Sequence, residues 1–280
     1  MIGGESMSSA TNPRGLQSAT SATISRTEEQ RDKHSERIVQ YTLWDIAVVI
    51  FVVACVIVHF HPAPWPFDLQ TTITVQHLQL WVGFSALLTL ASLMNDPLVS
   101  IIELIVWLVG LLLIGIMAWR LGKAAVRWIM SAIFISVGTS VMDGLNGLIS
   151  LIVGRPRPSS PLIHVLMPEP YHSFPSGHAE NDMVYYGILL YLSFTRPVRE
   201  WRYRWVLIPF QVFAFLIIAV IGYSRILEGS HWLTDVLGGY LSGAIFLALL
   251  IFLYNHIFNW FQYHHARKEA EKSLQAYKAS

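Results

Sequence analysis

Five long apolar segments dominate the sequence of this 280-residue chain. A helix needs about 20 apolar residues to cross the hydrocarbon core of a bilayer, and the five segments have about that length. They therefore predict an α-helical integral membrane protein. The segments cover about residues 43–61, 97–119, 126–153, 204–223 and 235–258.

The composition supports a membrane protein and excludes some other classes. Hydrophobic residues make up 54% of the chain and charged residues only 13%, whereas a soluble domain carries about 25% charged residues. A formal net charge of +1 gives no basic surface of the kind that binds nucleic acid. The single cysteine, Cys55, lies within an apolar segment, which excludes a disulfide or thiolate metal site within the chain.

Two shorter apolar segments, 78–94 and 181–195, are also candidate spans. Cytoplasmic loops carry an excess of Lys and Arg. If only 181–195 spans, all the basic segments lie on one side of the membrane; if 78–94 spans as well, the N-terminal tail and the connection at 120–127 lie on opposite sides. We therefore expect a six-span bundle with both termini in the cytoplasm and 78–94 at the membrane interface, anchored by Trp81. The basic residues are Arg26, Arg31, Lys33, Arg37, Arg120, Lys123, Arg127, Arg196, Arg199, Arg202, Arg204, Arg267, Lys268 and Lys272.

This topology divides the chain into three parts. Residues 1–42 are rich in polar residues and are expected to form a disordered cytoplasmic tail, without the apolar segment of a cleaved signal peptide. Residues 43–258 form the six-span membrane domain, and residues 259–280 form a cytoplasmic C-terminal tail. The expected location is the plasma (inner) membrane.

The last predicted span contains a GxxxG motif formed by Gly239 and Gly243. Small residues one turn apart allow the backbones of two helices to approach closely. We expect this face to pack against another helix of the same chain.

Three arginines lie in loops that the predicted topology places outside, where positive charge is disfavoured. Arg155 and Arg157 follow the third span, and Arg225 follows the fifth. Such positions require a local reason, and both loops also contain histidines. The outward loops are 62–96, 154–180 and 224–234.

The sequence Pro175-Ser176-Gly177-His178 has the pattern of a helix start, with Ser176 as the N-cap residue. Free backbone N–H groups and the helix dipole attract an anion to such a start. Gly177 allows the backbone to approach a ligand closely, and His178 is placed to give a proton to a leaving group.

The outward loop that follows the fifth span contains a second candidate group. His231 and Asp235 are four residues apart and lie on one face of a helix. An aspartate in this position can hold one ring nitrogen protonated and leave the other free for nucleophilic attack. Arg225 supplies a fixed cation with bidentate geometry for a phosphate. Together with the helix start, these residues form an anion site suited to phosphoryl transfer.

The pattern Ser224-Arg225-x5-His231-x3-Asp235, with Pro175 to His178 and Arg157-Pro158 upstream, resembles the signature of the type 2 phosphatidic acid phosphatase and vanadium haloperoxidase superfamily. The resemblance covers about residues 80–255 and includes three motifs in order on one face of a six-span bundle.

The resemblance implies a role for each motif residue. His231 would be the nucleophile that forms a phosphohistidine, oriented by Asp235. His178 would protonate the leaving alcohol and then activate water. No metal or cofactor is implied. The residues implied to hold the phosphoryl oxygens are Arg157, Arg225, Ser176 and Gly177, with Arg155 and Ser224 as further candidates.

The chain departs from the family pattern at one position. The first family motif is Lys-x6-Arg-Pro, but the corresponding positions hold Ser150, counted from Arg157, or Leu148, counted from Arg155. One phosphate-binding cation is therefore missing, and Arg155 is a candidate replacement. The change is compatible with reduced activity, an altered substrate or a non-hydrolytic role.

The expected function is a lipid phosphatase whose site opens on the outer face. Its partners would be the bilayer and a lipid phosphate: phosphatidic acid, phosphatidylglycerol phosphate or a polyprenyl pyrophosphate. Two alternatives remain open, namely a lipid phosphotransferase with an acceptor other than water and a non-catalytic protein that binds lipid phosphates. The spans and the thin outer loops argue against a soluble haloperoxidase.

Overall fold

The computed structural model describes residues 13–121, 125–166, 171–196 and 198–279. In these residues all regular secondary structure is helical, which confirms the predicted fold class. Short turns of π-helix (Phe134–Gly138) and 3-10 helix (Val198–Glu200 and Arg204–Leu207) connect some of the α-helices. The α-helices are α1 (Pro13–Phe60), α2 (Pro66–His77), α3 (Val82–Met94), α4 (Pro97–Arg120), α5 (Val126–Ile133), α6 (Thr139–Val153), α7 (Gly177–Phe194), α8 (Ile208–Leu227) and α9 (Leu233–Ala279).

Five helical segments among the described residues are long and apolar enough to cross a bilayer, so the chain is an integral multi-pass membrane protein. Large apolar side chains on these segments, such as Val106 (63%) and Leu113 (61%) on α4, are mostly exposed and form a surface suited to lipid. The third segment combines α5, the π-helical turn and α6. The segments are His34–Phe60, Pro97–Arg120, Val126–Val153, Arg204–Leu227 and Leu233–Lys278.

Helix α7 contains the predicted 181–195 span but is not one of these five segments. It has 18 residues, which give a length of about 27 Å. Its low apolar content has a structural cause, because it lies between α6, α8 and α9 and buries the polar residues Glu180 and Asp182 together with Val184 and Ile188. Helix α7 therefore holds its polar residues inside the bundle, where lipid does not reach them.

The GxxxG face of α9 packs against α7, which confirms that the motif packs within the chain. A Cβ atom on Gly239 would lie 2.4 Å from the carbonyl oxygen of Ser176, and one on Gly243 would lie 2.8 Å from Cβ of Met183. Because no larger residue fits at these positions, the two glycines set the close approach of the two helices. This approach joins the start of α7 to the start of α9.

The segment 78–94 forms helix α3, which packs against α8. Its 13 residues extend about 20 Å, less than the thickness of about 30 Å of the hydrocarbon core. Trp81, just before the helix, is 78% exposed. An interfacial position for α3 agrees with this length and stays a prediction.

The N-terminal part of the chain is more helical than the sequence predicts. Helix α1 begins at Pro13, within the segment 1–42 that we expected to be disordered; residues 1–12 lie outside the described residues. Helix α9 continues through the predicted C-terminal tail to Ala279. The physical reason is that adding a residue to an existing apolar helix requires no new nucleation, so polar residues extend it at low cost.

We predict that Gly239→Ala lowers stability, whereas Gly110→Ala does not. The new methyl group at position 239 would overlap the Ser176 carbonyl, and overpacking of this kind costs about 1–3 kcal/mol. A Cβ at Gly110, in the middle of α4, meets no atom within 4 Å, and replacing a helical glycine by alanine gains about 0.5–1 kcal/mol. Thermal unfolding of both variants in detergent measures the difference; equal midpoints would contradict the packing argument.

Candidate active site

The three sequence motifs meet at one cavity of about 1170 Å³. Arg157, from the loop after α6, lines it together with Gly177 and His178 at the start of α7. Arg225, at the end of α8, and His231, just before α9, complete this part of the wall. The fold thus brings together cations and imidazoles that are distant in the sequence.

His231 is buried, with 1% exposure, and both of its ring nitrogens have partners. Nδ1 lies 2.7 Å from the carbonyl oxygen of Ser173, and Nε2 lies 2.8 Å from Nη1 of Arg157. Because a guanidinium can only donate, Nε2 accepts this hydrogen bond and the ring proton is on Nδ1, which donates to Ser173. This arrangement holds a neutral imidazole with the Nε2 lone pair on the side of Arg157.

The turn before His231 depends on a glycine. Gly229 has a φ of +69°, in the left-handed region that other residues rarely adopt. A Cβ atom there would lie 2.3 Å from the carbonyl oxygen of His164. The turn therefore reverses the chain between α8 and α9 while it packs against the loop after α6.

The structure corrects the expected role of Asp235 in orienting His231. Its Oδ2 lies 3.8 Å from Nδ1 of His231, which is longer than a hydrogen bond. Instead, Oδ2 accepts from the backbone N–H of Trp232 at 2.8 Å, and Oδ1 accepts from Arg155. Asp235 thus fixes the backbone beside His231, while the carbonyl of Ser173 holds the ring.

Arg155 is not a substrate-binding residue, which corrects the prediction from the sequence. Its side chain is fully buried and is not part of the cavity wall. The guanidinium lies between two carboxylates, and this ion triad explains why the arginine is retained in a loop predicted to face outward. Its acceptors are Asp68 Oδ2 at 2.8 Å, Asp235 Oδ1, Thr234 Oγ1 at 2.6 Å and the Pro62 carbonyl oxygen at 3.3 Å.

Asp68 was not identified from the sequence. It lies in the first turn of α2 and is 87 residues from Arg155, so no local spacing connects them. Its Oδ1 also accepts from the backbone N–H of Thr234 at 2.9 Å. Asp68 therefore joins α2 to the first turn of α9.

Arg157 links the loops on either side of the cavity. Its Nε donates to the carbonyl oxygen of Tyr171 at 2.9 Å, and its Nη1 donates to that of Ser230 at 2.9 Å, in addition to its contact with His231. The side chain is partly exposed and lines the cavity. These bonds place a cation beside the proposed nucleophile.

Arg225 is 5% exposed and takes part in a polar cluster that sequence reasoning missed. Its Nη2 lies 2.8 Å from Oε2 of Glu228 and donates to Oγ of Ser92 at 2.7 Å. The spacing of three residues between Arg225 and Glu228 is the signal that could have identified this pair. Ser224, expected to contact substrate, donates to Glu228 at 2.9 Å and is not part of the cavity wall.

The predicted helix start is confirmed, because α7 begins at Gly177 with Ser176 as its N-cap residue. Ser176 makes no side-chain capping bond. Its hydroxyl is buried and has no hydrogen-bond partner among the described residues. The start of α7 thus presents backbone N–H groups at the cavity beside His178. The hydroxyl of Ser176 belongs to the preceding residue and is not part of the cavity wall.

The electrostatic surroundings of His178 disfavour its charged form. Burial is the largest cause, and the positive charges of Arg225 and Arg157 act in the same direction, so the pKa of His178 lies well below its ordinary value. A negatively charged ligand at these arginines would raise the pKa again. The protonation of His178 is therefore coupled to the charge in the cavity.

Ser150 occupies the wall of the cavity. Its hydroxyl lies 3.4 Å from the carbonyl oxygen of His172. Leu148, the other position counted for the missing lysine, is 53% exposed and does not line the cavity. Of the two positions, 150 shares the cavity wall with Arg157 and Arg225, whereas Leu148 and Arg155 lie outside it.

The fold and the site define a helical membrane protein with an anion site of arginines, histidines and a helix start. The family model described as PAP2 superfamily matches residues 125–260, which contain all three motifs. This match confirms the resemblance to the superfamily that was inferred from the motifs.

A sequence comparison and a structure comparison each find a similar chain from Bacillus subtilis. Phosphatidylglycerophosphatase B of strain 168 is 32% identical over 112 residues, which are 38% of this chain and 49% of that protein. The match thus spans about half the length of that relative. The crystal structure of the first transmembrane PAP2 type phosphatidylglycerolphosphate phosphatase superposes with a TM-score of 0.59 and 17% identity, over 76% of this chain and 96% of that chain. This second likeness establishes the fold.

We predict that Arg155→Gln destabilises the protein strongly. The change removes the cation between Asp68 and Asp235, and breaking a buried ion pair costs about 3–5 kcal/mol because the remaining charge is left unpaired. Arg196→Gln is the matched control: this side chain is 75% exposed in its pair with Glu200, and such pairs contribute about 0–1 kcal/mol. The midpoints of thermal unfolding in detergent compare the two variants. If Arg155→Gln unfolds at the same temperature as wild type, Arg155 does not have the proposed structural role.

Proposed function

We propose that the chain is a metal-independent lipid phosphatase that acts through a phosphohistidine intermediate. The proposal rests on His231, whose Nε2 atom carries a lone pair and lies 2.8 Å from Nη1 of Arg157. Both residues line a cavity that His178 and Arg225 also line. The names of the similar chains from Bacillus subtilis support a phosphatase. The substrate would be a phosphomonoester or diphosphate of a lipid.

The first chemical step is attack by Nε2 of His231 on phosphorus. Arg157 must transfer its hydrogen bond from Nε2 to a phosphoryl oxygen, which frees the lone pair at the moment the substrate binds. A nitrogen–phosphorus bond forms and the bond between phosphorus and the lipid oxygen breaks. The proton stays on Nδ1 and keeps its hydrogen bond to the Ser173 carbonyl oxygen, so the phosphorylated ring keeps its orientation.

His178 would supply and recover the proton of the reaction. As an imidazolium it donates to the departing lipid oxygen, and as a neutral base it then takes a proton from the water that attacks the phosphohistidine. The second step releases inorganic phosphate and restores His231. Both roles require His178 to change its charge, which agrees with its sensitivity to negative charge in the cavity.

The phosphoryl oxygens would be stabilised by fixed donors. Arg157 and Arg225 supply charge, and the backbone N–H of Gly177 and the hydroxyl of Ser176 supply neutral hydrogen bonds. The hydroxyl of Ser176 is without a partner among the described residues, but Ser176 is fully buried and does not line the cavity. A contact between this hydroxyl and a phosphoryl oxygen would therefore require the start of α7 to shift. Donors held in place before the reaction stabilise the charge that develops in the transition state.

The membrane arrangement proposed here is the one predicted from the basic residues. Part of α7, at 181–195, would be the sixth span of a membrane domain at 43–258, with residues 1–42 and 259–280 in the cytoplasm. The site would then open at the outer face of the plasma membrane, at headgroup depth. A lipid phosphate can reach such a site laterally while its chains stay in hydrocarbon.

A non-catalytic lipid-phosphate receptor is the second candidate function, and Ser150 favours it. The side chain lines the cavity at a position where the family pattern has a lysine, so the cavity has one cation fewer to stabilise a transition state. A phosphotransferase differs only in the acceptor that replaces water. The presence of a proposed nucleophile and acid makes hydrolysis the stronger candidate.

Phosphate release by purified protein in detergent tests the proposal. Wild type should hydrolyse phosphatidic acid, phosphatidylglycerol phosphate or a polyprenyl phosphate, and His231→Ala should reduce the rate to that of a protein-free control. His178→Gln should lower the rate by about 10²- to 10⁴-fold, the usual effect of losing a general acid. His164→Ala changes an exposed histidine of the same outer loop and should leave the rate unchanged.

Three further measurements separate the alternatives. The rate of phosphate release should be unchanged in EDTA, and loss of activity on chelation would overturn the metal-free mechanism. The same rate should fall when vanadate is added, because vanadate imitates the five-coordinate transition state. Added acceptor alcohol should leave free phosphate as the main product. Equal, near-zero rates for wild type and His231→Ala on all these lipids would favour the non-catalytic receptor.

We predict that phosphate binding is accompanied by proton uptake at His178. In the free protein the lowered pKa keeps the imidazole neutral at pH 7, and the negative charge of bound phosphate raises that pKa so that a proton is taken up from the buffer. Calorimetric titration in two buffers of different ionisation enthalpy counts the protons. On binding phosphate, the His178→Gln variant should take up fewer protons than wild type, with a difference of up to one proton per site. Equal proton uptake by both proteins would contradict the assignment of this proton to His178.

A further inference from the structure

We propose that Glu228 is a specificity-determining residue that limits the site to one phosphoryl group, so that lipid phosphomonoesters are favoured over diphosphates. This inference rests on the proposed function and narrows its substrate class. It begins from the contact between Glu228 and Arg225 in the cavity wall. Four other carboxylates line the same cavity, namely Asp96, Glu103, Asp143 and Asp182.

The carboxylate of Glu228 is held firmly in the cavity wall. Its Oε1 accepts hydrogen bonds from Ser92 Oγ at 2.6 Å, from Ser224 Oγ at 2.9 Å and from Arg225 Nη2 at 2.9 Å. Its side chain is only 17% exposed. Three donors on one oxygen leave the carboxylate little freedom to move away when a ligand enters.

The positive charge available to a ligand is small. Arg157 and Arg225 are the guanidinium groups that line the cavity among the described residues, and no lysine lines it there. Ser150 occupies the wall position of the expected lysine, and Arg225 is already paired with Glu228. The two arginines and a protonated His178 can balance a phosphomonoester dianion, but no further cation is present in the described wall to balance a second phosphoryl group.

The position of Glu228 makes it sensitive to that second group. It contacts Nη2 of Arg225, so any phosphoryl group bound at this guanidinium lies within a few ångströms of the carboxylate. A diphosphate brings one more negative charge than a phosphomonoester. For like charges about 6 Å apart at an effective dielectric constant of about 20, the extra repulsion corresponds to a factor on the order of 10–100 in affinity.

The ratio of two substrates distinguishes this role from simple positioning of Arg225. If Glu228 only holds Arg225, its loss lowers the hydrolysis of both substrates by the same factor. If its charge excludes the second phosphoryl group, its loss improves the diphosphate relative to the monophosphate.

The experiment uses the monophosphate and the diphosphate of one prenyl alcohol, with the full chain in detergent. In wild type, kcat/KM for the monophosphate should exceed that for the diphosphate by a factor on the order of 10–100. In Glu228→Gln, which keeps the size of the side chain and removes its charge, this ratio should fall by about 10-fold or more. Glu200→Gln removes the same charge from an exposed pair with Arg196, and it should leave the ratio at the wild-type value.

The outcomes separate the inference from the proposed function. Hydrolysis of both substrates with no change of the ratio in Glu228→Gln would overturn the role of Glu228 and leave the phosphatase intact. Hydrolysis of neither substrate by wild type, with His231→Ala the same, would reject the phosphatase and the inference together.

A binding measurement on the wild-type protein keeps the inference testable if Glu228→Gln does not fold. Inorganic phosphate and pyrophosphate are titrated into the protein under the same conditions. Phosphate should bind more tightly by about 10-fold or more, because pyrophosphate places added negative charge beside Glu228. Equal or tighter binding of pyrophosphate would overturn the inference.

Discussion

The buried ion triad of Asp68, Arg155 and Asp235 is the interaction on which the rest of the site depends. The guanidinium is fully buried between two carboxylates, where an unpaired charge would be costly. The three residues come from α2, the loop after α6 and the first turn of α9, so satisfying one arginine fixes three separate segments. The same carboxylate of Asp235 also holds the backbone N–H of Trp232. In this way the triad sets the position of the backbone that carries His231.

The chemical character of His231 follows from this fixed backbone. Its ring lies between a carbonyl oxygen that can only accept and a guanidinium that can only donate, and these two neighbours determine which nitrogen carries the proton. The lone pair is therefore on Nε2, the nitrogen beside the arginine that would bind a phosphoryl oxygen. The close approach of α7 and α9 at Gly239 brings the start of α7, with Gly177 and His178, to the same cavity. The residues proposed as nucleophile, acid and anion-binding groups thus meet because two helices pack backbone to backbone.

Charge balance distinguishes this cavity from one that would bind any phosphate. Three arginines lie in loops that the sequence predicts to face outward. Arg155 is neutralised inside the protein, Arg225 shares its charge with Glu228, and Arg157 contacts His231. Ser150 adds a hydroxyl where the family pattern has a cation. The result is a site with little surplus positive charge, in which each added negative charge on a ligand has a large effect because the groups are buried.

Much of the architecture could be predicted from local sequence patterns. Apolar length predicted the membrane segments, the N-cap pattern predicted the start of α7 at Ser176, and GxxxG predicted the close packing of α9, because each of these depends on residues near one another in the chain. Side-chain partners between distant segments could not be predicted in this way. Asp68 and Arg155 are 87 residues apart, and Ser92 and Glu228 are 136 apart, so no spacing connects them. The sequence by itself determined the helical membrane class and the set of residues with phosphoryl-transfer chemistry. Only the tertiary structure decided which arginines line the cavity and which one is buried in an ion triad. It also decided that the Ser173 carbonyl oxygen holds the ring of His231. These outcomes follow from which distant segments pack together.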